Sequence, residues 1–204
     1  MMDLNENKID QSMEYMPEDC TKVLASIKHV LLEKNRRYGN AALSPLGVFY
    51  KGDATNSISI RLDDKLSRIK NANVLRKNDL FDLLGYCILY LVNNINRLDA
   101  PMYNSLNVPM PTFEERVDEC LVGVYDAYTE NRYEMTRYSG CIGFSYDGFN
   151  KIGERDLITD CLNGATSSIK DSHDITYSKV EALITYIVIY FIVNNITDFT
   201  DLID

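Results

Sequence analysis

The tetrapeptide Val-Asn-Asn-Ile occurs twice, at 92–95 and at 193–196, and each copy closes an apolar run, 83–92 and 182–193. Neither run reaches the about 20 residues needed to cross a bilayer. Both predict helices buried inside a protein, and their near-identical endings raise the question of an internal duplication. A shift of 96 residues answers it: Asn35, Arg36, Gly47, Tyr50, Gly52, Asp64 and Leu66 meet Asn131, Arg132, Gly143, Tyr146, Gly148, Asp160 and Leu162. Seven identities in 32 positions exceed the about two expected from ordinary residue frequencies. The chain therefore reads as two copies of one three-helix unit, with five extra residues before the last helix of the second copy. Amphipathic helices that match by composition alone are the competing explanation.

Apolar spacing places the helices. One beginning near Pro17 puts Cys20, Val23, Leu24, Ile27, Val30 and Leu31 on one face and stops at Tyr38-Gly39-Asn40. A loop rich in Gly and aromatic residues follows, then a shorter helix with Ile58, Leu62, Leu66 and Ile69. Asn78 is the expected cap of a third helix, with Asp79 and Asp82 near its start and an apolar body to Ile95. Pro101, Pro109 and Pro111 mark 98–111 as a linker. In the second copy, Thr112 and Glu115 form a capping box ahead of Val117, Leu121, Val124 and Tyr128. A second loop with Tyr138, Gly143, Tyr146 and Gly148 leads to a short helix around 157–162 and a long apolar helix over about 176–196.

The expected fold is all-α, a helical bundle of two duplicated three-helix units forming a pseudo-dimer with long Gly and aromatic loops. Its parts are a tail at 1–16, a motif-bearing unit at 17–97, the linker at 98–111, and a degenerate second unit at 112–204 packed on the first.

Charge is unevenly shared between the halves. The net charge of −9 combines 14 bases against 13 acids in the first 100 residues with 7 bases against 17 acids in the rest. An acidic total disfavours long nucleic acids, which are bound by an excess of bases that displaces counterions. Five cysteines at 20, 87, 120, 141 and 161, with no C-x-x-C pair, fit neither a disulfide framework nor a zinc site. A polar, acidic start without a basic and then apolar stretch gives no sign of a secretory leader. The expectation is a cytoplasmic protein without a membrane partner.

The chemistry concentrates in the first copy. Between Lys28 and Lys77 stand 11 bases and 4 acids, a local excess that includes Lys34, Arg36 and Arg37. Arg61, Lys65 and Arg68 form a stripe at i, i+4 and i+7, whereas the matching positions of the second copy hold Leu157, Cys161 and Gly164. Such a stripe is commonly a solvated face, here balanced by Asp64. Combined with Gly turns and aromatic residues it also suits a small phosphorylated ligand, gripped by cations and stacked on an aromatic ring. The candidate ligand-binding residues are Lys34, Arg36, Arg37, Tyr38, Asn40, Tyr50, Arg61, Asp64, Lys65, Arg68, Asp82 and Tyr86. Asp64, Asp79 and Asp82 are candidate Mg²⁺ ligands if the protein is a hydrolase; otherwise no cofactor is implied. His29 and His173 lie far apart in sequence and on different copies, His29 is read as an ordinary helix residue, and no P-loop, nucleophile elbow or zinc motif is present.

Tyr38-Gly39-Asn40, the octapeptide Arg-Leu-Asp-Asp-Lys-Leu-Ser-Arg at 61–68 and Asp-Leu-Phe-Asp-Leu-Leu-Gly-Tyr at 79–86 together resemble the nucleotide-modification-associated domain family of phages and bacteria. That family is similar to the all-α nucleotide pyrophosphohydrolases of MazG and dimeric dUTPase type. The resemblance implies a site in which an E-x-x-E on one helix and an E-x-x-D on the next bind Mg²⁺ and a nucleoside triphosphate. Asp79 and Asp82 match the second element; Asp63 and Asp64 are adjacent where the first should stand, and Ser67 follows three residues after Asp64. Those enzymes are helical dimers, which implies that the duplicated chain is an internal pseudo-dimer whose second copy serves as a wall of the pocket; a homodimer is the other candidate assembly. Two functions follow as expectations: a protein that binds or sequesters a nucleotide or nucleotide-derived immune signal, and a Mg²⁺-dependent nucleoside triphosphate pyrophosphohydrolase. A helical interaction protein is the third.

Overall fold

The computed structural model describes residues 6–39, 41–44, 52–71, 76–137 and 177–203. Among these, five α-helices and a short 3-10 turn account for the regular structure: α1 (Glu6–Tyr38), α2 (Ala54–Asn71), α3 (Lys77–Leu106), α4 (Phe113–Arg137), α5 (Tyr177–Val193) and the turn Thr200–Leu202. The fold is all-α. The loop and short helix expected at 138–176 lie outside the described residues, as do Asn40 and Tyr50.

α4 and α5 pack on each other, and each also packs on both α1 and α3. α1 and α3 therefore face one another across the longer diagonal of a four-helix arrangement, and α2 lies on the outside against α3. The hydrophobic spacing determines which faces turn inward. Cys20, Val23, Leu24, Ile27, Val30 and Leu31 are all buried, as are Ile58, Leu62 and Ile69 on α2 and Val117, Leu121 and Val124 on α4. α5 buries Val180, Leu183, Ile184, Ile187, Val188, Ile189 and Phe191. It meets neighbours on three sides, so the one-sided stripe of a surface helix is absent from it.

Several boundaries differ from those the sequence suggests. α1 starts at Glu6, ahead of Pro17. Proline inside a helix loses its own N–H bond and crowds the carbonyl four residues back, a local cost set here against preceding Glu, Lys, Gln and Met residues that favour helix. α3 starts at Lys77, with Arg76 as its N-cap and no side-chain capping bond, so Asn78 lies inside the first turn. The largest difference is at 98–111: α3 continues through Pro101 to Leu106, and only the stretch from Asn107 to the start of α4 is non-helical. Asn107 ends the helix in the left-handed region at φ 51°, and its N–H donates to the Asn104 carbonyl.

Arg116 explains why this segment stays helical. Its side chain is only 3% exposed, and it donates to Asp99 Oδ2 at 2.6 Å, to Glu119 Oε2 at 2.7 Å and to Asn96 Oδ1 at 3.0 Å. Its guanidinium carbon also lies 5.9 Å from the Tyr103 ring centre. Burial works against its charge, but the carboxylates of Glu119 and Asp99 outweigh that and hold the guanidinium above its ordinary pKa. The partners Asn96, Asp99 and Tyr103 all lie on α3, so the network requires the helix to extend past the expected linker boundary.

The capping box at the start of α4 is formed as expected. The Thr112 N–H and hydroxyl donate to Glu115 Oε2 at 2.7 and 2.8 Å, and the Glu115 N–H donates back to Thr112 Oγ1 at 3.3 Å. The two Val-Asn-Asn-Ile segments adopt different conformations. Residues 92–95 lie within α3, whereas α5 ends at Val193 and Asn195 takes φ 55°. After this break Phe199 turns back into the core, with ring centres 5.0 Å from Phe81 and 4.8 Å from Phe191. Its N–H donates to Ser26 Oγ at 3.3 Å, and Lys77 pairs with Asp201 at 2.6 Å, which ties the C-terminal segment to α1 and α3.

Candidate functional site

Leu31, Lys34, Asn35 and Tyr38 fall at i, i+3, i+4 and i+7 on α1 and so share one face of its last turns. Phe81, Asp82, Gly85, Tyr86 and Leu89 share a face of α3 in the same way. Where these faces oppose one another, with Phe113 of α4 and the turn residues Ala41 and Ala42 at the sides, they line a cavity of about 350 Å³. Two backbone features make room for it. Gly39, at φ 60°, ends α1 and turns the chain so that the Ala41 N–H bonds the Tyr38 carbonyl at 3.2 Å. Gly85 adds no side chain to the α3 wall, where a Cβ would make an ordinary 3.4 Å contact with Leu31 Cδ2.

Asp82 organises the charge of the cavity. Its Oδ2 accepts a 2.7 Å hydrogen bond from Lys65 Nζ of α2, and its Oδ1 lies 3.8 Å from Lys34 Nζ of α1. One carboxylate thus faces two ammonium groups brought by different helices. The Lys65 side chain is 12% exposed and donates one hydrogen bond to Asp82. Lys34 is beyond hydrogen-bonding distance of the same carboxylate, and its Nζ lies 5.5 Å from the Phe81 ring centre.

The structure brings Lys34, Tyr38, Asp82 and Tyr86 together around the cavity, with Lys65 attached through Asp82. It does not bring the remaining described candidates there. Arg36 and Arg37 both pair with Glu33, at 2.7 and 2.9 Å. Hydrogen bonds from these guanidinium groups lower the Glu33 pKa from 4.5 to about 2, and Glu33 in turn raises that of Arg36. Arg68 pairs with Asp64 on its own helix at 3.2 Å, and both are exposed, as is Arg61. The expected basic stripe is therefore divided: Lys65 turns inward, and Arg61 and Arg68 turn to solvent. A helix places these side chains on one face only within a wide arc, and the edge of that arc against α3 selects Lys65.

Asp79 is 3.8 Å from Arg76 in the first turn of α3. Among the described residues, no three His, Cys, Asp or Glu side chains are placed to hold one metal ion, so Asp64, Asp79 and Asp82 are not gathered into a common site. Burial raises the Cys20 and Cys120 thiols to about 12 and lifts Cys87 as well, which leaves all three protonated and unsuited to nucleophilic work.

Sequence reasoning missed Phe81, Gly85, Leu89, Asn35 and Phe113 as lining residues. The first three continue the Asp82 and Tyr86 face at helical spacing, and Asn35 adjoins Lys34, so the pattern was present for them. Phe113 belongs to α4 and reaches the site only through tertiary packing. Comparison with family models, with curated proteins and with solved structures finds no match to the chain. Among the described residues no helix is long and apolar enough to cross a membrane.

Proposed function

We propose that the cavity between α1 and α3 binds a small phosphorylated nucleotide or nucleotide-derived signal. The observation that carries this reading is the approach of Lys34, with unfilled hydrogen-bond donors, to a cavity that Tyr38 and Tyr86 also line. An ammonium group supplies the anion contact, the aromatic rings supply stacking surface for a base, and Leu31, Phe81 and Leu89 supply apolar contact. The resemblance of 38–40, 61–68 and 79–86 to the nucleotide-modification-associated domains supports the same ligand class. On this reading the chain holds its ligand without turning it over, as a phage protein that sequesters an immune signal in the host cytoplasm would. The two halves are remnants of a duplicated three-helix unit, of which only the first kept a site.

The second reading is a Mg²⁺-dependent nucleoside triphosphate pyrophosphohydrolase, favoured by the i, i+3 spacing of Asp79 and Asp82. Against it stand the 2.7 Å bond from Lys65 to Asp82 and the absence, among the described residues, of three carboxylates placed to hold one ion.

Incubation with nucleotides, cyclic dinucleotides and ADP-ribose derivatives, with and without Mg²⁺, followed by chromatography separates the two. Intact ligand released by heating the complex supports binding. Metal-dependent product supports hydrolysis, and retention of no compound refutes both.

A further inference from the structure

We infer that the ligand is a mononucleotide carrying a single phosphate, in preference to a triphosphate or a dinucleotide; this rests on the nucleotide reading above. The charge balance of the cavity points there first. Among the described residues its lining holds one cation, Lys34, and one carboxylate, Asp82, with Lys65 bonded behind that carboxylate at 2.7 Å. The three groups sum to a single positive charge, which offsets the larger part of the about −1.5 to −2 carried by one phosphate monoester and only a small part of a triphosphate's charge. Lys65 keeps Asp82 satisfied when Lys34 leaves it, and Lys34 has only 3.8 Å of loose attraction to give up. Its ammonium can therefore turn to a phosphate while Asp82 stays paired.

A triphosphate would bring two more charged groups against walls built from Leu31, Phe81, Leu89 and Phe113. Those groups would find no further cation among the described lining residues and would have to lie towards solvent, where they add little attraction. Arg36 and Arg37, the nearest further cations in sequence, are held by Glu33.

Size gives the same answer independently. A cavity of about 350 Å³ stands near the lower end of the roughly 300–1,000 Å³ spanned by small-molecule sites. That is room for one ring, one sugar and one phosphate. Tyr38 and Tyr86, on opposite helices, then border the base, and Lys34, one turn before Tyr38, meets the phosphate.

The test is calorimetric titration of the full chain with the nucleoside, its 5′-monophosphate and its 5′-triphosphate for each of the four common bases, together with a cyclic dinucleotide. The expected result is that one monophosphate binds at least about tenfold tighter than its nucleoside, as a charged hydrogen bond provides. It should also bind tighter than the triphosphate and the dinucleotide. Lys34→Met should reduce the monophosphate to the affinity of the nucleoside and leave the nucleoside unchanged, whereas Lys34→Arg should retain the preference. Tighter binding of a triphosphate or of the dinucleotide overturns the single-phosphate inference and leaves nucleotide binding standing. No binding by any compound overturns both.

Discussion

Asp82→Asn distinguishes the two roles open to this carboxylate, because they predict changes of opposite sign. The substitution keeps the shape and one acceptor oxygen but removes the charge that Lys65 meets at 2.7 Å and Lys34 at 3.8 Å. A charged hydrogen bond contributes about 1.5–3 kcal/mol. Asp82 is 37% exposed, so solvent screening and the retained neutral bond reduce the expected loss of stability to about 1 kcal/mol. Ligand binding should move the other way. A phosphate on Lys34 would lie about 6 Å from the Asp82 carboxylate, and at a dielectric between that of a protein surface and water their repulsion is about 1 kcal/mol. Its removal tightens the complex about fivefold. Urea unfolding followed by far-UV circular dichroism reads the first effect, and calorimetric titration with the preferred monophosphate reads the second. Affinity that falls tenfold or more would refute the role of Asp82 as a counter-charge for the lysines. A fall seen only when Mg²⁺ is present would instead identify it as a metal ligand.

Other perturbations address the frame around the cavity. Arg116→Met leaves Asp99 and Glu119 without their shared guanidinium; because both carboxylates reach solvent, the expected loss is about 2–3 kcal/mol, read as a lower urea midpoint. A change below about 0.5 kcal/mol would mean that the far end of α3 is held by something else. Phe199→Ala removes a fully buried ring from between Phe81 and Phe191 and should cost about 3–5 kcal/mol; because Phe81 lines the cavity, ligand affinity should fall with it. Acid should destabilise the fold in a defined window. Glu33, lowered from 4.5 to about 2 by Arg36 and Arg37, contributes stability that is present above pH 4.5 and lost as the pH falls towards 2. Glu115 acts in the same direction, lowered by the backbone N–H and then the hydroxyl of Thr112. Urea midpoints measured from neutral to acid pH should fall less steeply in Glu33→Gln and Glu115→Gln than in the natural chain, and equal slopes would remove these carboxylates from the acid transition.

Much of the architecture was legible without coordinates because it depends on local rules. The 3.6-residue period alone identifies the buried face of α1 from Cys20 to Leu31, and the Thr112–Glu115 capping box forms within four residues of chain. Residues such as Lys34 with Tyr38, and Asp82 with Tyr86, also declare a common face by their spacing. Boundaries set by distant partners were not legible. Three prolines mark 98–111 as a linker, yet α3 runs through Pro101, because Arg116 of the next helix holds Asn96 and Asp99 in place.

By itself the sequence determined that the chain is helical, which stripes are buried and that most of the bases lie in its first half. Only the tertiary structure decided which of those cations face the cavity. Arg36, Arg37, Arg61 and Arg68 look as suitable as Lys34 and Lys65 in a list of residues. The packing of α2 on α3, and the placing of α1 opposite α3 by the two helices between them, directs the two lysines to Asp82 and leaves the four arginines to Glu33, Asp64 or solvent. The reason is that helical periodicity assigns a side chain to a face, whereas a binding site requires faces from different helices to meet. That meeting is set by how the whole bundle packs.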